Sequence, residues 1–218
     1  MKDIIILISK LQATEHDLAQ LNEQLLRVSN WDEAARFLIS RQAGPLFYKK
    51  LPQLANTSCM PPDTLAAFRH SWLKTISRSM MLVEMYRQVA AAFEAAGIGW
   101  IAMKGVYLSE WLYGELGLRQ FSDIDLLVKP EDGLRALDAL RGIGFRMTES
   151  LLPADIQEKM QPVHYPQMIR QGVAVEVHTR LHRHNVEYQI DVDTLWEKAD
   201  VKTVHGVASR VFCLEHQL

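Results

Sequence analysis

Asp123 and Asp125 stand at i and i+2 in the stretch Arg119-Gln120-Phe121-Ser122-Asp123-Ile124-Asp125-Leu126-Leu127-Val128. Side chains alternate along an extended chain, so both carboxylates point to one face of a strand. Two like charges this close repel each other. A divalent cation relieves the repulsion, and carboxylate oxygens are the ligands Mg²⁺ prefers. The apolar run Leu126 to Val128 marks the strand as buried, with its acidic end at the edge of a core. Spacing alone also fits a pair of solvated loop carboxylates, so the surroundings decide.

Two neighbouring segments bear on that decision. Met103-Lys104-Gly105-Val106 falls at the junction of a predicted strand and helix. There a glycine permits close approach of a ligand, the helix start offers free N–H groups to a phosphate, and Lys104 adds a positive charge. Val173-Ala174-Val175-Glu176-Val177-His178 is an apolar strand interrupted by one acid. A carboxylate in such a run is costly unless it meets a cation or hydrogen-bond donors. If this strand lies beside the first, Glu176 completes a three-carboxylate cluster, and His178, on the same face, can reach a phosphate or an acceptor.

Other residues read more plainly. His164, His182, His184 and His205, with Arg180 and Arg183, form no thiolate-assisted zinc pattern, and the segment after Glu176 reads as a solvated basic stretch. Trp100, Tyr107, Trp111 and Tyr113 flank the junction and suit either core packing or stacking on a base.

The elements that must position these groups follow from periodicity. Leu18, Leu21, Leu25 and Val28 recur at helical spacing, Asn30 suits an N-cap, and Gly44-Pro45 reads as a turn. Leu65, Phe68, Trp72, Ile76, Ser79, Val83, Tyr86, Ala90 and Phe93 describe a long helix over about 63–96, closed by Gly97. Beyond it β-type and helical runs alternate: strands at Gly99–Met103 and Ile124–Val128, and a helix from Pro130 to about Gly142. A short strand is expected at Phe145–Thr148 and a hairpin of Val163–Arg170 and Val173–Val177 about Gln171-Gly172. Asp191 suits a helix cap, and Val201–Phe212 a last strand pair. The organisation expected is a helical region over 1–96 and an α+β domain over 97–218, built on a mixed sheet.

The strings MKGVYLSEWLYGELGLRQFSDIDLLVKPED, from Met103 to Asp132, and VAVEVHTRL, from Val173 to Leu181, resemble the uncharacterised nucleotidyltransferase family. That family belongs to the DNA polymerase β-like nucleotidyltransferase superfamily. The features that carry the resemblance are Lys104-Gly105, Arg119, Asp123-Ile-Asp125 and Glu176-x-His178. It implies a polymerase β-like mixed sheet with flanking helices, two Mg²⁺ ions and a nucleoside triphosphate. It also implies attack by the hydroxyl of a small molecule or protein on the α-phosphate, with pyrophosphate leaving. Asp123, Asp125 and Glu176 would be the catalytic, metal-binding acids. Lys104, Gly105, Arg119 and His178 would handle the triphosphate and acceptor. One departure stands out: the superfamily's Gly-Ser or Gly-Gly is here Lys104-Gly105-Val106, without the serine contact to phosphate. The same residues also suit a catalytically inactive nucleotide-binding or scaffold module, or an antitoxin-like partner of a toxin.

Composition narrows the field. The 218 residues carry 24 Lys and Arg against 26 Asp and Glu, a formal net charge of -2, which argues against sequence-independent nucleic-acid binding. Ile4 to Ile8 is too short for a signal or membrane span. Cys59 and Cys213 read as free thiols of a cytoplasmic protein. Leu214 to Leu218 looks like the opening of another helix, the expectation for a chain that continues in its full-length form.

Overall fold

The computed structural model describes residues 2–150, 153, 163–181 and 191–216. The chain forms two compact units, Met1–Met80 with Trp111–Gln120, and Met81–Glu110 with Phe121–Leu218. Among the described residues no helix is long and apolar enough to cross a membrane.

The first unit is helical: α1 (Lys2–Ser9), α2 (Glu15–Leu26), α3 (Trp31–Ser40), α4 (Gly44–Lys50) and the opening turns of α5 (Pro62–Ala95). Local chemistry sets the starts. Thr14 and Asp17 form a capping box at α2, each side chain bonding the other's backbone N–H. The Asn30 side chain accepts the Glu33 N–H at 3.1 Å, the cap expected from sequence. Gly44-Pro45, expected as a turn, instead opens α4, because proline's missing N–H costs nothing in a first helical turn. Ile4, Ile8, Leu21, Leu25, Leu38, Phe47 and Phe68 make this unit's core, with the rings of Phe47 and Phe68 4.6 Å apart.

Along α5 the expected stripe is buried at Phe68, Ser79, Val83, Tyr86, Ala90 and Phe93. Leu65 departs from it and is exposed, while Thr64, Ser71 and Thr75 take buried positions early in the helix. The helix closes in a Schellman motif: Gly97 adopts φ +65°, and Ile98 N–H reaches back to the Phe93 carbonyl at 2.9 Å.

The second unit is built on a seven-stranded sheet in the order β3-β4-β5-β2-β1-β7-β6. Its strands are β1 (Trp100–Ala102), β2 (Asp123–Val128), β3 (Arg146–Met147), β4 (Met168–Arg170), β5 (Val173–His178), β6 (Asp200–Val204) and β7 (Val207–Val211). β2 runs parallel to β5 and β1 parallel to β7, and the remaining neighbours are antiparallel, giving the mixed sheet expected. The helices are α6 (Lys104–Trp111), α7 (Gly133–Gly142), preceded by a 3₁₀ turn at Pro130–Asp132, and α8 (Val192–Glu197), capped by Asp191 as expected.

Two hairpins share one device. Gln171 and Gly172 have φ +50° and +73°, and His205 and Gly206 have +49° and +84°, the left-handed pairs that match the twist of adjacent strands. The run Val163–Arg170 is not one continuous strand. Pro166 supplies no N–H for a ladder, so His164 pairs with His178 as an isolated bridge and β4 begins only at Met168.

Alternation gives the central strands two buried faces. Ile124, Leu126 and Val128 of β2 and Val173, Val175 and Val177 of β5 join Tyr86, Val89, Phe93, Leu137 and Leu140 in the larger core. On the opposite face Leu127 packs with Ile101, Met103, Leu195 and Phe212. By the period of two, Asp123 and Asp125 share that second face with Leu127.

Candidate active site

β2 and β5 pair in parallel register, with Asp125 opposite Glu176 and Asp123 opposite Ala174. This places Asp123, Asp125, Glu176 and His178 on one face of two adjacent strands. One ligand atom each from Asp125, Glu176 and His178 lies within 4.8 Å of the others. Asp125 and His178 are buried, 2% and 5% exposed, so their polar atoms must find partners inside the protein.

They do. His178 Nε2 stands 2.9 Å from Asp125 Oδ1 and 3.3 Å from Glu176 Oε2, its N–H aimed between the two carboxylates. Lys104 donates to the same Asp125 oxygen at 2.5 Å. Glu176 is held from its other side, where Gln167 Nε2 donates to Oε1 at 2.5 Å. Ser122 Oγ donates to Asp123 at 3.3 Å.

The two aspartates titrate in opposite directions. Burial raises the Asp123 carboxyl above its ordinary range, and the negative charges of Asp125 and Glu176 push the same way. Burial also raises Asp125, but the His178 hydrogen bond and the Lys104 ammonium outweigh it and hold that carboxyl below the ordinary range. Three acids therefore share one field, and the cations beside Asp125 outweigh burial there but not at Asp123. Hard carboxylate oxygens on two adjacent strands form a donor set that fits Mg²⁺ or Mn²⁺, with the His178 imidazole hydrogen-bonded beside them.

The remaining sequence candidates fall as follows. Lys104 opens α6 in a left-handed conformation, φ +47°. Gly105 is buried, and a Cβ there would stand 2.5 Å from the Cβ of Phe121, so the close approach this glycine permits is that of the Phe121 side chain. Arg119 lies in the segment Trp111–Gln120, which belongs to the helical unit. Tyr107 is buried in the core, where half-buried Trp100 also packs, against Phe93 with ring centroids 6.1 Å apart. His205 is buried away from the strand pair, its Nε2 2.9 Å from the Val106 carbonyl and 3.1 Å from Ser109 Oγ. The His164 ring sits 5.3 Å from that of His178. His182, Arg183 and His184 lie outside the described residues.

Gln167 was not among the sequence candidates, although the hairpin register contains it. With Met168 opposite Val175, the next position outward sets Gln167 opposite Glu176. Gln167→Leu is expected to weaken divalent-cation affinity about tenfold by freeing Glu176 to rotate, without loss of the fold. Mn²⁺ titration calorimetry beside a thermal melt checks both halves of this prediction.

A family model described as an uncharacterised nucleotidyltransferase matches residues 28–218. No curated protein matches the chain. Two solved structures are similar to it at low identity. One is the crystal structure of a candidate nucleotidyltransferase from Thermotoga maritima, 13% identical, TM-score 0.46, covering 62% of this chain and 78% of that one. The other is the solution structure of the antibiotic-resistance factor ANT(2'')-Ia, 14% identical, TM-score 0.45, covering 64% of this chain and 69% of that one.

Proposed function

Because the chain belongs to the uncharacterised nucleotidyltransferase family, we propose that it moves a nucleoside monophosphate from a nucleoside triphosphate to a hydroxyl acceptor. The observation that carries this reading is the convergence of Asp125, Glu176 and His178 on one point, with Asp123 in the same electrostatic field. Asp123, Asp125 and Glu176 would hold two Mg²⁺ ions. Such ions, when bound, supply Lewis-acid stabilisation of the entering and leaving oxygens.

The chain's own groups do the rest. Lys104, at the first position of α6, and Gly105, with its backbone N–H in the first turn, receive the triphosphate. Glu176, held at Oε1 by Gln167, keeps Oε2 beside His178 and accepts the proton of the acceptor hydroxyl. His178, its proton shared between Asp125 and Glu176, keeps both carboxylates turned toward the reacting groups. The acceptor oxygen bonds to the α-phosphorus as the bond to the bridging oxygen breaks, and pyrophosphate departs.

A second reading has one observation in its favour. Asp125 is already paired within the chain by Lys104 and His178, as suits a nucleotide-binding module that transfers nothing. Pyrophosphate release from each nucleoside triphosphate, measured with Mg²⁺ and a pool of hydroxyl acceptors, separates the two. Release that disappears in Glu176→Gln supports transfer. Calorimetric binding of a triphosphate with no release across the pool supports the silent module.

A further inference from the structure

We propose that Lys104 is a built-in counter-ion of the candidate metal centre. Its ammonium holds Asp125 until a divalent cation arrives, then yields that oxygen and turns to the incoming phosphate. This rests on the reading of Asp125 as a cation ligand.

The first observation is conformational. Lys104 has φ +47°, a region that L-residues with a Cβ occupy at a cost and glycine occupies freely. Strain of this kind persists where the surroundings fix it, and here it opens α6 so that the side chain runs to β2. The second is an asymmetry of exposure. Asp125 is sealed at 2% exposure and cannot leave, whereas the Lys104 side chain is 57% exposed and can swing into water without opening a cavity. The third is the bond itself. Lys104 Nζ sits 2.5 Å from Asp125 Oδ1, the same oxygen that His178 Nε2 approaches at 2.9 Å.

A dication and an ammonium on one carboxylate oxygen repel strongly in a partly buried site. Of the two cations, the one on the flexible, solvated stem must move. Before cation loading, Lys104 adds a full positive charge to the His178 hydrogen bond that the buried Asp125 carboxylate already accepts. After loading, the released ammonium stands at the mouth of α6, beside the position expected for the triphosphate. One residue thus couples cation entry to the creation of a phosphate donor.

The test uses Mn²⁺ alone, without nucleotide, on the wild-type chain, Lys104→Gly and Asp125→Asn. Glycine suits the left-handed backbone, so the substitution removes the charge and relieves the strain together. Lys104→Gly is expected to bind Mn²⁺ about tenfold tighter than wild type by calorimetry. In the wild type, acylation of Lys104 by acetic anhydride, followed by mass spectrometry, is expected to rise several-fold at saturating Mn²⁺, while Lys129 and Lys198 label at unchanged rates. Equal or weaker Mn²⁺ binding by Lys104→Gly overturns the proposal, as does unchanged Lys104 labelling. Either result leaves the metal-centre reading standing if Asp125→Asn has lost Mn²⁺. Mn²⁺ binding by Asp125→Asn equal to wild type, or no binding by any of the three proteins, overturns both.

Discussion

Asp125→Asn is expected to lose divalent-cation binding at the β2–β5 strand pair and to lower nucleotidyl transfer by about 10³-fold, the rate equivalent of several kcal/mol of electrostatic stabilisation. The amide keeps the shape of the carboxylate. Its oxygen can still accept from His178 Nε2, which in the native chain lies 2.9 Å from Asp125 Oδ1. Lys104, mostly exposed, re-enters water at little cost. The fold should therefore survive while the chemistry is lost, a separation that a thermal melt beside an activity assay reads directly.

The pH dependence of stability gives the same substitution a second signature. The Asp125 carboxyl is depressed in the folded chain, so the stability it contributes is fully present above its ordinary value of 3.8 and is lost as pH falls through the lower folded value. Asp125→Asn should lack that acid limb. Asp123, raised in the folded chain, works the opposite way: its ionisation costs stability as pH rises from 3.8 through its folded value. Cation binding should offset that cost.

Gly105→Ala is expected to destabilise the chain by about 1–3 kcal/mol, the usual cost of overpacking, and to lower the melting temperature by roughly 2–10 °C. The added methyl would stand 2.5 Å from Phe121 Cβ and 2.9 Å from Phe121 Cγ, close to the root of a side chain that has little room to turn aside. Movement of Phe121 also disturbs its chain neighbours Ser122 and Asp123, so cation affinity should fall together with stability. Two controls isolate the cause. Phe121→Ala should recover part of the loss in the double variant, as expected for residues in direct contact. Gly142→Ala, where a Cβ would meet nothing within 4 Å, should be neutral or slightly stabilising.

Much of the frame was legible because it depends on local chemistry. The cap at Asn30, the helix stop at Gly97 and the hairpin at Gln171-Gly172 each follow from what one or two residues can do with their own backbone. The strand pair that gathers the acids was legible through alternation. Asp123 and Asp125 had to share a face, and only the register of β2 against β5 remained for the tertiary fold to choose. Gly44-Pro45 misled because the same dipeptide serves a turn or a first helical turn, and packing decides between them. Leu65 misled because a period of three or four residues does not fix where a helix first meets its core.

The contacts that tune the site were less visible. The Lys104 ion pair depends on a left-handed φ that no pattern of side chains announces. At Gly105 the side where a Cβ would stand is filled by Phe121, a contact across sixteen positions of chain that no local pattern announces. Gln167 could have been found, since counting outward from the Gln171-Gly172 turn sets it opposite Glu176. The Pro166 interruption hid that register by making the preceding run look like a single strand.

Anomalous diffraction from crystals grown with Mn²⁺ and a non-hydrolysable nucleoside triphosphate tests whether the β2–β5 carboxylates hold a divalent cation against a triphosphate. The expected result is a manganese peak bonded to carboxylate oxygens of Asp125 and Glu176, with the triphosphate against the start of α6. A bound triphosphate with no manganese at those two carboxylates would contradict it.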